Sequence, residues 1–387
     1  MVHIAEREIQ LPDAVIAKLL KLAAEDNSVI SLGPGEPDFN APKPIIDLTK
    51  KYADKCNHYS PPGGRQELKE AIIKKLKKEN KIDAHPSNVI VTTGSQEALL
   101  LATACTLDVS EQIIIPNPSF LGYLPMFELF DAFPVALELR EDEGWDINVD
   151  RLKGLIDPKK TKAIMINSPA NPTGTVMSKK VMEELADVAL EHNLYIFSDE
   201  AYERLIYGGK KHISMASLNG MQDHVVSFYT FSKTFAMCGY RVGYAVGPRN
   251  LIEAMTKTHI YTTLCAPTIS QMVAADALSI PTKYIDVMVH EYDKRRKFIV
   301  QRLNEMGLPT VTPHGAFYTF SNIQSVHDNS FQFAYDLLKQ AKVAVMPGRE
   351  FGRYGEGYIR CSYATELHAI DEAMERLEKY VKKHKRK

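Results

Sequence analysis

Seven short apolar runs, separated by longer segments, occupy the middle of the chain. Several runs are apolar at nearly every position, which is typical of parallel strands buried on both faces. The runs lie within NVIVTTG, EQIIIPN, FPVALEL, TKAIMINSP, LYIFSDE, VVSFYTF and YRVGYAVG. Segments between them, such as SQEALLLATACTL, LGYLPMFELFDA and SKKVMEELADVALEHN, have helical spacing. The alternation predicts an α/β domain with a mostly parallel central sheet flanked by helices, whose ligands bind beyond the carboxyl ends of the strands.

The length of the chain predicts a second domain. Its 387 residues are more than one hydrophobic core usually organises. From about residue 281 the alternation gives way to one long helical segment, a few strands and two more helices. We predict a large α/β domain at residues 45–280 and a smaller α+β domain built from both chain ends, residues 1–44 and 281–387.

Composition and charge argue against several classes of protein. Hydrophobic residues make up 45% and charged residues 25%, as in soluble globular proteins, and no apolar run is long enough to span a bilayer. The 47 basic and 48 acidic side chains nearly cancel, so nothing favours nucleic acid or a membrane surface as a partner. The five cysteines are scattered without a C-x-x-C pair. This pattern disfavours disulfides and a zinc site, and we predict a cytoplasmic protein without a metal.

A glycine-containing loop, SLGPGEPDF at 31–39, could be mistaken for a nucleotide-binding loop. A dinucleotide fingerprint needs three glycines between a strand and a helix, and this loop has two. Its prolines and the two that follow fix φ and lack an N–H, so no helix can run through it. The loop needs another explanation.

Polar side chains follow three of the apolar runs. Asp199 comes where the run 195–197 ends, and Asn171 follows the run 163–166. Taken alone, each is more often a helix cap or turn residue. Lys233 follows the run 225–231, and a lone lysine is usually a surface charge. Together, however, a lysine, an aspartate and nearby hydroxyls at strand ends suit an aldehyde cofactor that carries a phosphate and a pyridine nitrogen.

Eight motifs in the order of one known family carry a resemblance. They are GEPDF, HYSPPGGRQELKEAI, TTGSQEAL, NPSFLGY, NSPANPTG, SDEAYE, SKTFAMCGYRVGY and YIRCSYA. The chain resembles the class I aminotransferases, pyridoxal-phosphate-dependent enzymes of fold type I, almost from end to end. The resemblance implies that fold, the cofactor pyridoxal phosphate, and amino acids and 2-oxo acids as substrates.

The resemblance also implies roles at the reacting end of the cofactor. Lys233 would bond the aldehyde and then move the proton between the substrate Cα and the cofactor C4′. Desolvation lowers the pKa of a lysine, so that its amine is free at neutral pH. Asp199 would pair with the pyridine nitrogen, and Asn171 and Tyr202 would hydrogen-bond the ring oxygen.

The phosphate would lie at a helix N-terminus. Gly94 allows the turn from strand to helix, and the amides of Ser95 and Gln96 would face the anion. By resemblance, Arg241 and the hydroxyl of Thr230 would complete the cup, although many relatives have serine in place of Thr230. Without the resemblance, Ser95 would be read as an ordinary helix cap.

Four further residues owe their roles to the resemblance alone. Phe120 would stack on the pyridine face, and Tyr59 would cross a dimer interface to the partner's phosphate. Arg360 would clamp the substrate α-carboxylate through both ends of its guanidinium group, and the Gly35 N–H would bind the same carboxylate. On sequence alone, Phe120 would be assigned to the core, Tyr59 to a loop, Arg360 to a surface salt bridge and Gly35 to a turn. The carboxylate role would explain the 31–39 loop as a stiff flap over the site.

The predicted function is that of a homodimeric aminotransferase. It would pass the amino group of an L-amino acid to 2-oxoglutarate in a ping-pong cycle, with the acceptor taken from the resemblance. Some relatives with acidic substrates carry a lysine where this chain has Gln96, and no second arginine suggests itself for a side-chain carboxylate. Aromatic or broad donor specificity is therefore favoured over aspartate. A C–S lyase and a non-catalytic, cofactor-binding regulator are the more remote alternatives.

Overall fold

The seven apolar runs form one seven-stranded sheet in the computed structural model of the chain. The structure describes residues 4–5, 11 and 25–385. The strands in this part of the chain are β1 (Ile30–Ser31), β2 (Val89–Thr92), β3 (Gln112–Asn117), β4 (Phe133–Glu138), β5 (Thr161–Asn167), β6 (Tyr195–Asp199), β7 (Val225–Thr230), β8 (Gly243–Val246), β9 (Tyr318–Asn322), β10 (Val343–Ala344), β11 (Met346–Pro347) and β12 (Tyr358–Ser362). The large sheet has the order β2-β8-β7-β6-β5-β3-β4. Its pairs are parallel except those that β8 makes with β2 and β7, so the predicted mostly parallel sheet is confirmed.

Helices cover both faces of this sheet. The helices in the described residues are α1 (Lys43–Tyr52), α2 (Gln66–Lys75), α3 (Ser95–Thr106), α4 (Tyr123–Glu128), α5 (Val149–Lys153), α6 (Lys179–Glu191), α7 (Phe231–Thr234), α8 (Arg249–Thr262), α9 (Thr268–Ala277), α10 (Lys283–Glu305), α11 (Ser330–Ala341) and α12 (Leu367–His384). Helices α2, α6 and α9 contribute to the hydrophobic core on one face, and α3 and α8 to the core on the other. The prediction of a sheet flanked by helices is therefore confirmed.

Alternation along the strands explains why the runs are apolar throughout. Successive side chains of a strand point to opposite faces. Ile114 of β3 belongs to one core, and its neighbours Ile113 and Ile115 belong to the other. Both sets are buried, so neither face of the strand tolerates polar residues. In the seven strands of this sheet, charged side chains occur only at or next to a strand end.

A second sheet and a third core lie in the C-terminal part of the chain. Strands β11, β12 and β9 form an antiparallel sheet in that order. Apolar residues of α10, α11 and α12 are buried in one core with those of β9 and β12. Strand β1 pairs in parallel with β10, which joins residues 30–31 to this region. The domain limits 1–44, 45–280 and 281–387 stay a prediction, and residues 1–24 of the proposed N-terminal arm, apart from 4–5 and 11, lie outside the described residues.

Two further observations bear on the sequence predictions. The segment LGYLPMFELFDA forms a helix only over Tyr123–Glu128, because Asp131 takes φ 55° and turns the chain into β4. No helix in the described part of the chain has the length and hydropathy needed to cross a membrane.

Candidate active site

A cavity of about 320 Å³ opens at the carboxyl edge of the large sheet, where it faces β9 and β12 of the small sheet. The predicted site residues that line it are Gly35, Gly94, Ser95, Gln96, Phe120, Asn171, Asp199, Tyr202, Thr230, Lys233, Arg241 and Arg360. Tyr59 does not line the cavity of its own chain, and its side chain is 83% exposed. The cavity thus brings together every residue predicted for the site except the one expected to act on a partner subunit.

The direction of β8 decides which segments reach this edge. Strands β2, β5, β6 and β7 end there, which places residues 94–96, Asn171, Asp199 and Lys233 around the cavity. Because β8 runs antiparallel to β2 and β7, it begins at the edge where they end. Arg241, two residues ahead of β8, therefore lies on the same side as Lys233.

One end of the cavity, called here the candidate anion site, is lined by backbone groups of residues 94–96 and by Arg241. Gly94 has φ 83° and precedes α3, whose N-terminus has no side-chain cap. The first N–H groups of a helix have no partner within the helix, so those of α3 are available to a bound anion. A Cβ on Gly94 would lie 2.8 Å from Arg241 Nη2, and a Cβ on Gly243 would lie 2.6 Å from the Ser95 nitrogen. Only glycine permits this close approach of β8, Arg241 and α3.

Thr230 takes part in this end of the cavity less directly than expected. Its hydroxyl oxygen caps α7 by accepting from the Ser232 amide at 3.1 Å, and its hydroxyl donates to Ser232 Oγ at 2.9 Å. Ser232 itself lines the cavity, although the sequence analysis did not select it. The two hydroxyls therefore form one polar corner next to the candidate anion site.

Asp199 is a carboxylate that forms no ion pair within the described part of the chain. Its Oδ2 accepts a hydrogen bond from the Tyr123 hydroxyl at 2.6 Å, and its Oδ1 accepts from the Ala201 amide at 3.0 Å. Burial raises the pKa of Asp199 above its ordinary value, and these two hydrogen bonds only partly oppose the rise. No lysine, arginine or histidine of the described residues forms an ion pair with Asp199. A ligand that offers a protonated nitrogen would supply the missing charge.

Lys233 is half-buried, and it lines the cavity. It donates a hydrogen bond to the Gly35 carbonyl oxygen at 2.6 Å. Burial lowers the pKa of Lys233, so its neutral, nucleophilic form becomes accessible nearer to neutral pH. Gly35, which was expected to use its N–H, contacts the lysine through its carbonyl.

Arg360 is buried, with 3% of its surface exposed. Its Nη1 donates to Asn171 Oδ1 at 3.0 Å and its Nη2 donates to the Gly33 carbonyl oxygen at 2.6 Å. Its Nε is buried and has no acceptor among the described residues. A buried donor without an acceptor is costly, and a carboxylate entering the cavity would satisfy it.

Aromatic side chains form the walls. Tyr202 is buried, and its hydroxyl lies 2.8 Å from that of Tyr318. The Phe120 ring lies edge-on to Tyr123 with centroids 5.3 Å apart. A Cβ on Gly122 would lie 2.6 Å from the Phe120 ring, so this glycine makes room for the ring.

The sequence analysis missed Tyr123, Tyr318 and Asn167, which all line the cavity. Asn167 accepts from the Asn171 amide at 2.8 Å and so holds that residue in place. Tyr123 lies in the quoted motif NPSFLGY, three residues after Phe120, and its place in that motif was the available signal. Tyr318 follows a glycine-alanine-phenylalanine sequence in an apolar strand, where nothing sets it apart from core residues.

A second polar cluster lies behind Asp199. Ligand atoms of Glu200, Glu203 and His212 lie within 4.8 Å of one another, as in some metal sites. The Lys75 amine, however, already forms an ion pair with Glu203. Glu200 accepts hydrogen bonds from His212, and also from Ser198, Ser214 and Tyr229. The acidic side chains of the cluster are therefore already engaged in ion pairs and hydrogen bonds, although His212 Nδ1 is buried without a partner among the described residues.

Comparison with known proteins places the chain in a family. Residues 27–377 match the family model described as aminotransferase class I and II. The chain is 46% identical over 374 residues to the aspartate aminotransferase of Pyrococcus abyssi, covering 96% of each chain. It is 44% identical over 374 residues to aromatic-amino-acid aminotransferase 2 of Thermococcus litoralis, again covering 96% of each. The crystal structure of an aromatic aminotransferase from Pyrococcus horikoshii has a TM-score of 0.90 and 45% identity, covering 94% of this chain and 99% of that one.

The sheet and the cavity at its edge define a transferase of fold type I. The chain belongs to the class I and II aminotransferase family. It is a pyridoxal-phosphate-dependent aminotransferase, and the predictions of family, fold, cofactor and enzyme class are confirmed.

The residues present fit this cofactor. The uncapped N-terminus of α3 and the glycine-lined approach of Arg241 provide room and donors for a phosphate. Asp199 is a half-buried carboxylate without an ion-pair partner in the described chain, as a protonated pyridine nitrogen requires. The lowered pKa of Lys233 suits an amine that must bond an aldehyde.

Proposed function

We propose that the enzyme passes the amino group of an L-amino acid, with aromatic or broad donor specificity, to 2-oxoglutarate in a ping-pong cycle. The observation that carries the proposal is one cavity lined by the Lys233 amine, the Asp199 carboxylate and the Arg360 guanidinium. A nucleophile, an anion for a pyridine nitrogen and a carboxylate receptor are the three groups that transamination of an α-amino acid requires.

Bound pyridoxal phosphate supplies an aldehyde that bonds amines and a ring that accepts electrons released at the substrate Cα. Lys233 would hold the aldehyde end of the cofactor, and its amine would move the proton at the substrate Cα as a general base and acid. Asp199 would keep the pyridine nitrogen protonated. Asn171 and Tyr202 would donate hydrogen bonds to the ring oxygen, and Phe120 would cover one face of the ring.

The phosphate is bound at the other end of the cavity. The amides of Ser95 and Gln96 and the Arg241 guanidinium face this position, where Gly94 leaves room for the anion. Thr230 adds its hydroxyl after a rotation that releases Ser232. A phosphate fixed in this way would restrict the motion of the whole cofactor in the cavity.

Arg360 binds the substrate α-carboxylate. Its unpartnered Nε–H and a spare N–H of the guanidinium group form the pair of parallel donors that a carboxylate accepts. The backbone N–H of Gly35 is the third donor. This contact orients the Cα–H toward Lys233 and excludes amines that lack a carboxylate.

The composition of the cavity supports aromatic or broad donor specificity. Its cationic lining residues in the described chain are Lys233, Arg241 and Arg360, and each already has a role. No cation remains there for a second carboxylate, whereas Leu99, Leu121 and Met346 add apolar surface. Aspartate aminotransferase is the second candidate, because the relative that is 46% identical bears that name.

A homodimer with Tyr59 contributed across the interface completes the proposal. Tyr59 is 83% exposed and lies outside the cavity of its own chain, as a residue that serves a partner subunit would. Its loop is well anchored, since His259 Nδ1 lies 2.8 Å from the Pro62 carbonyl oxygen and Ser60 Oγ lies 2.9 Å from Thr268 Oγ1. A rigid exposed tyrosine is suited to donate a hydrogen bond to a phosphate on the partner.

A cytoplasmic location is also proposed. All five cysteines are free thiols, and a reducing compartment preserves such thiols.

A panel of amino donors tests the specificity. The holoenzyme is assayed with 2-oxoglutarate and tyrosine, phenylalanine, aspartate, alanine or lysine, and each keto acid product is measured. We expect the highest kcat/KM with an aromatic donor. Activity with aspartate alone would contradict the proposal and favour the second candidate.

Replacement of Lys233 tests the mechanism. We expect K233A to lose transamination, because no other amine of the described residues lines the cavity, and to keep its fold. Borohydride treatment of the wild-type holoenzyme followed by digestion should place the reduced cofactor adduct on the peptide containing TFSKTF. An adduct on a different peptide, or transamination by K233A, would show that another lysine is the nucleophile.

A further inference from the structure

Tyr318 lies between Arg360, the proposed receptor of the substrate carboxylate, and Tyr202, which is proposed to contact the cofactor. It has no role in the function proposed so far. It is on β9, is fully buried, and lines the cavity. Its ring and its hydroxyl contact different neighbours. The two parts of the side chain can therefore be considered separately.

The ring of Tyr318 supports the Arg360 guanidinium. Arg360 Cζ lies 4.3 Å from the centroid of the Tyr318 ring and 4.9 Å from that of Phe351. A guanidinium group stacks favourably on aromatic faces, and more strongly when water is excluded. Its plane is therefore set by two rings as well as by its hydrogen bonds to Asn171 and Gly33.

The hydroxyl of Tyr318 contacts Tyr202. It lies 2.8 Å from the Tyr202 hydroxyl, and the two rings are edge-to-face with centroids 5.8 Å apart. If Tyr318 donates, the Tyr202 proton is left free to point into the cavity. A hydroxyl that accepts one hydrogen bond is also a stronger donor of the next.

We propose that Tyr318 is a positioning residue that acts on both sides of the reacting centre: its ring fixes Arg360 for the substrate carboxylate, and its hydroxyl directs the Tyr202 hydroxyl toward the ring oxygen of the cofactor. The inference rests on the roles proposed above for Arg360 and Tyr202. Tyr318 also limits the approach of the 31–39 loop, because a Cβ on Gly35 would lie 3.0 Å from the Tyr318 hydroxyl oxygen.

Two substitutions separate the two roles. Tyr318→Phe removes the hydroxyl and keeps the ring, whereas Tyr318→Leu removes both. Tyr207→Phe is the matched control: Tyr207 is also buried, its hydroxyl donates to the Ala316 carbonyl oxygen at 2.6 Å, and Arg296 Cζ lies 5.4 Å from its ring. Tyr207 does not line the cavity.

The first readout is the affinity of each holoenzyme for a carboxylate that has no amino group and so is not turned over. 3-Phenylpropionate, with succinate as a second probe, is titrated into each holoenzyme while the visible absorption of the bound cofactor is followed. We expect Tyr318→Leu to weaken binding about tenfold or more, since a desolvated cation–π contact contributes on that scale. Tyr318→Phe and Tyr207→Phe should change the Kd by less than about twofold, because neither alters the ring beneath Arg360. Phe351→Leu removes the other ring and should also weaken binding.

The second readout is the pH at which the visible absorption of the bound cofactor changes. If Tyr202 donates a weaker hydrogen bond, the ring oxygen of the cofactor keeps more negative charge. A proton held next to that oxygen is then released only at a higher pH. We expect Tyr318→Phe to move the transition upward by about half a pH unit or more, in the same direction as Tyr202→Phe. The ionisable groups that act on Tyr318 are Arg360, Tyr202 and Cys238, and all of them remain in this variant.

The outcomes distinguish this inference from the proposed function. Wild-type affinity in Tyr318→Leu, with weakened binding in Arg360→Lys, would overturn the role of the ring. An unchanged transition in Tyr318→Phe, with a shifted one in Tyr202→Phe, would overturn the role of the hydroxyl. Unchanged binding in Arg360→Lys would instead show that Arg360 does not bind the carboxylate, and the inference would fall with that assignment.

Discussion

The hydrogen bond from Tyr123 to Asp199 joins a residue that the sequence analysis missed to one that it identified. The two oxygens are 2.6 Å apart. In the proposed mechanism Asp199 must stay ionised to hold a proton on the cofactor nitrogen. Burial already raises the pKa of Asp199, and the Tyr123 hydroxyl opposes that rise. Without this hydroxyl the pKa rises further, so the ionised form is lost at a higher pH as the solution is acidified.

We therefore predict that Y123F moves the acidic limb of the single-turnover pH profile to higher pH. At the acidic end its rate should fall about tenfold or more, as expected for a hydrogen bond to a charged group. The matched control is Y229F, which removes a buried hydrogen bond of 2.9 Å to the carboxylate of Glu200. An acidic limb that moves equally in both variants would argue against a specific role for Tyr123.

At the level of elements, the contact between β8 and the start of α3 determines the shape of the proposed phosphate site. A Cβ on Gly243 would lie 2.6 Å from the Ser95 nitrogen, 2.6 Å from the Tyr229 carbonyl oxygen and 2.7 Å from the Gly94 carbonyl carbon. These neighbours are backbone atoms, so a side chain can be admitted only if the strand and the helix move apart.

We predict that G243A lowers the free energy of unfolding by about 1–3 kcal/mol, the usual cost of overpacking. It should also weaken the binding of pyridoxal phosphate. Urea unfolding and cofactor titration of the apoenzyme measure the two effects. G239A is the control, because a Cβ there would meet no atom within 4 Å. Equal behaviour of the two variants would mean that the approach of β8 to α3 is not tight.

Sequence reasoning predicted the secondary-structure elements correctly where a single hydrophobic pattern dominates the segment. All seven strands of the large sheet were predicted, because burial on both faces makes each run apolar. The direction of β8 was not predicted, since hydrophobic periodicity carries no information about strand direction. Tyr318 was missed for a related reason: a buried tyrosine in a strand resembles a core residue until the contacts of its hydroxyl are known. Lys233 and Asp199 were found because charges interrupt apolar runs.

At the scale of the whole molecule, the proposed exchange of Tyr59 between subunits can be tested with dimers that combine two different defective subunits. K233A and Y59A subunits are expressed with different tags, and dimers containing one of each are purified. One site of such a dimer lacks both groups and the other lacks neither, if Tyr59 acts on the partner. We predict roughly half of the wild-type activity per dimer, as follows from two symmetric sites.

If Tyr59 acts within its own subunit, every site in the mixed dimer carries one defect. Activity then stays at the low level of the two parent variants. A chain that remains monomeric at assay concentrations, yet turns over normally, would contradict the shared site altogether. Size-exclusion chromatography of the wild-type holoenzyme provides this check.

The reversal of β8 has an implication for inheritance and for engineering. The segment 231–242 leaves β7 and enters β8 without crossing the sheet, and it carries both Lys233 and Arg241. The spacing between the proposed covalent anchor, Lys233, and the proposed phosphate anchor, Arg241, is thus encoded in one short stretch of sequence. Recombination elsewhere in the gene leaves that spacing untouched, and the stretch can be transplanted between related scaffolds as a single cassette.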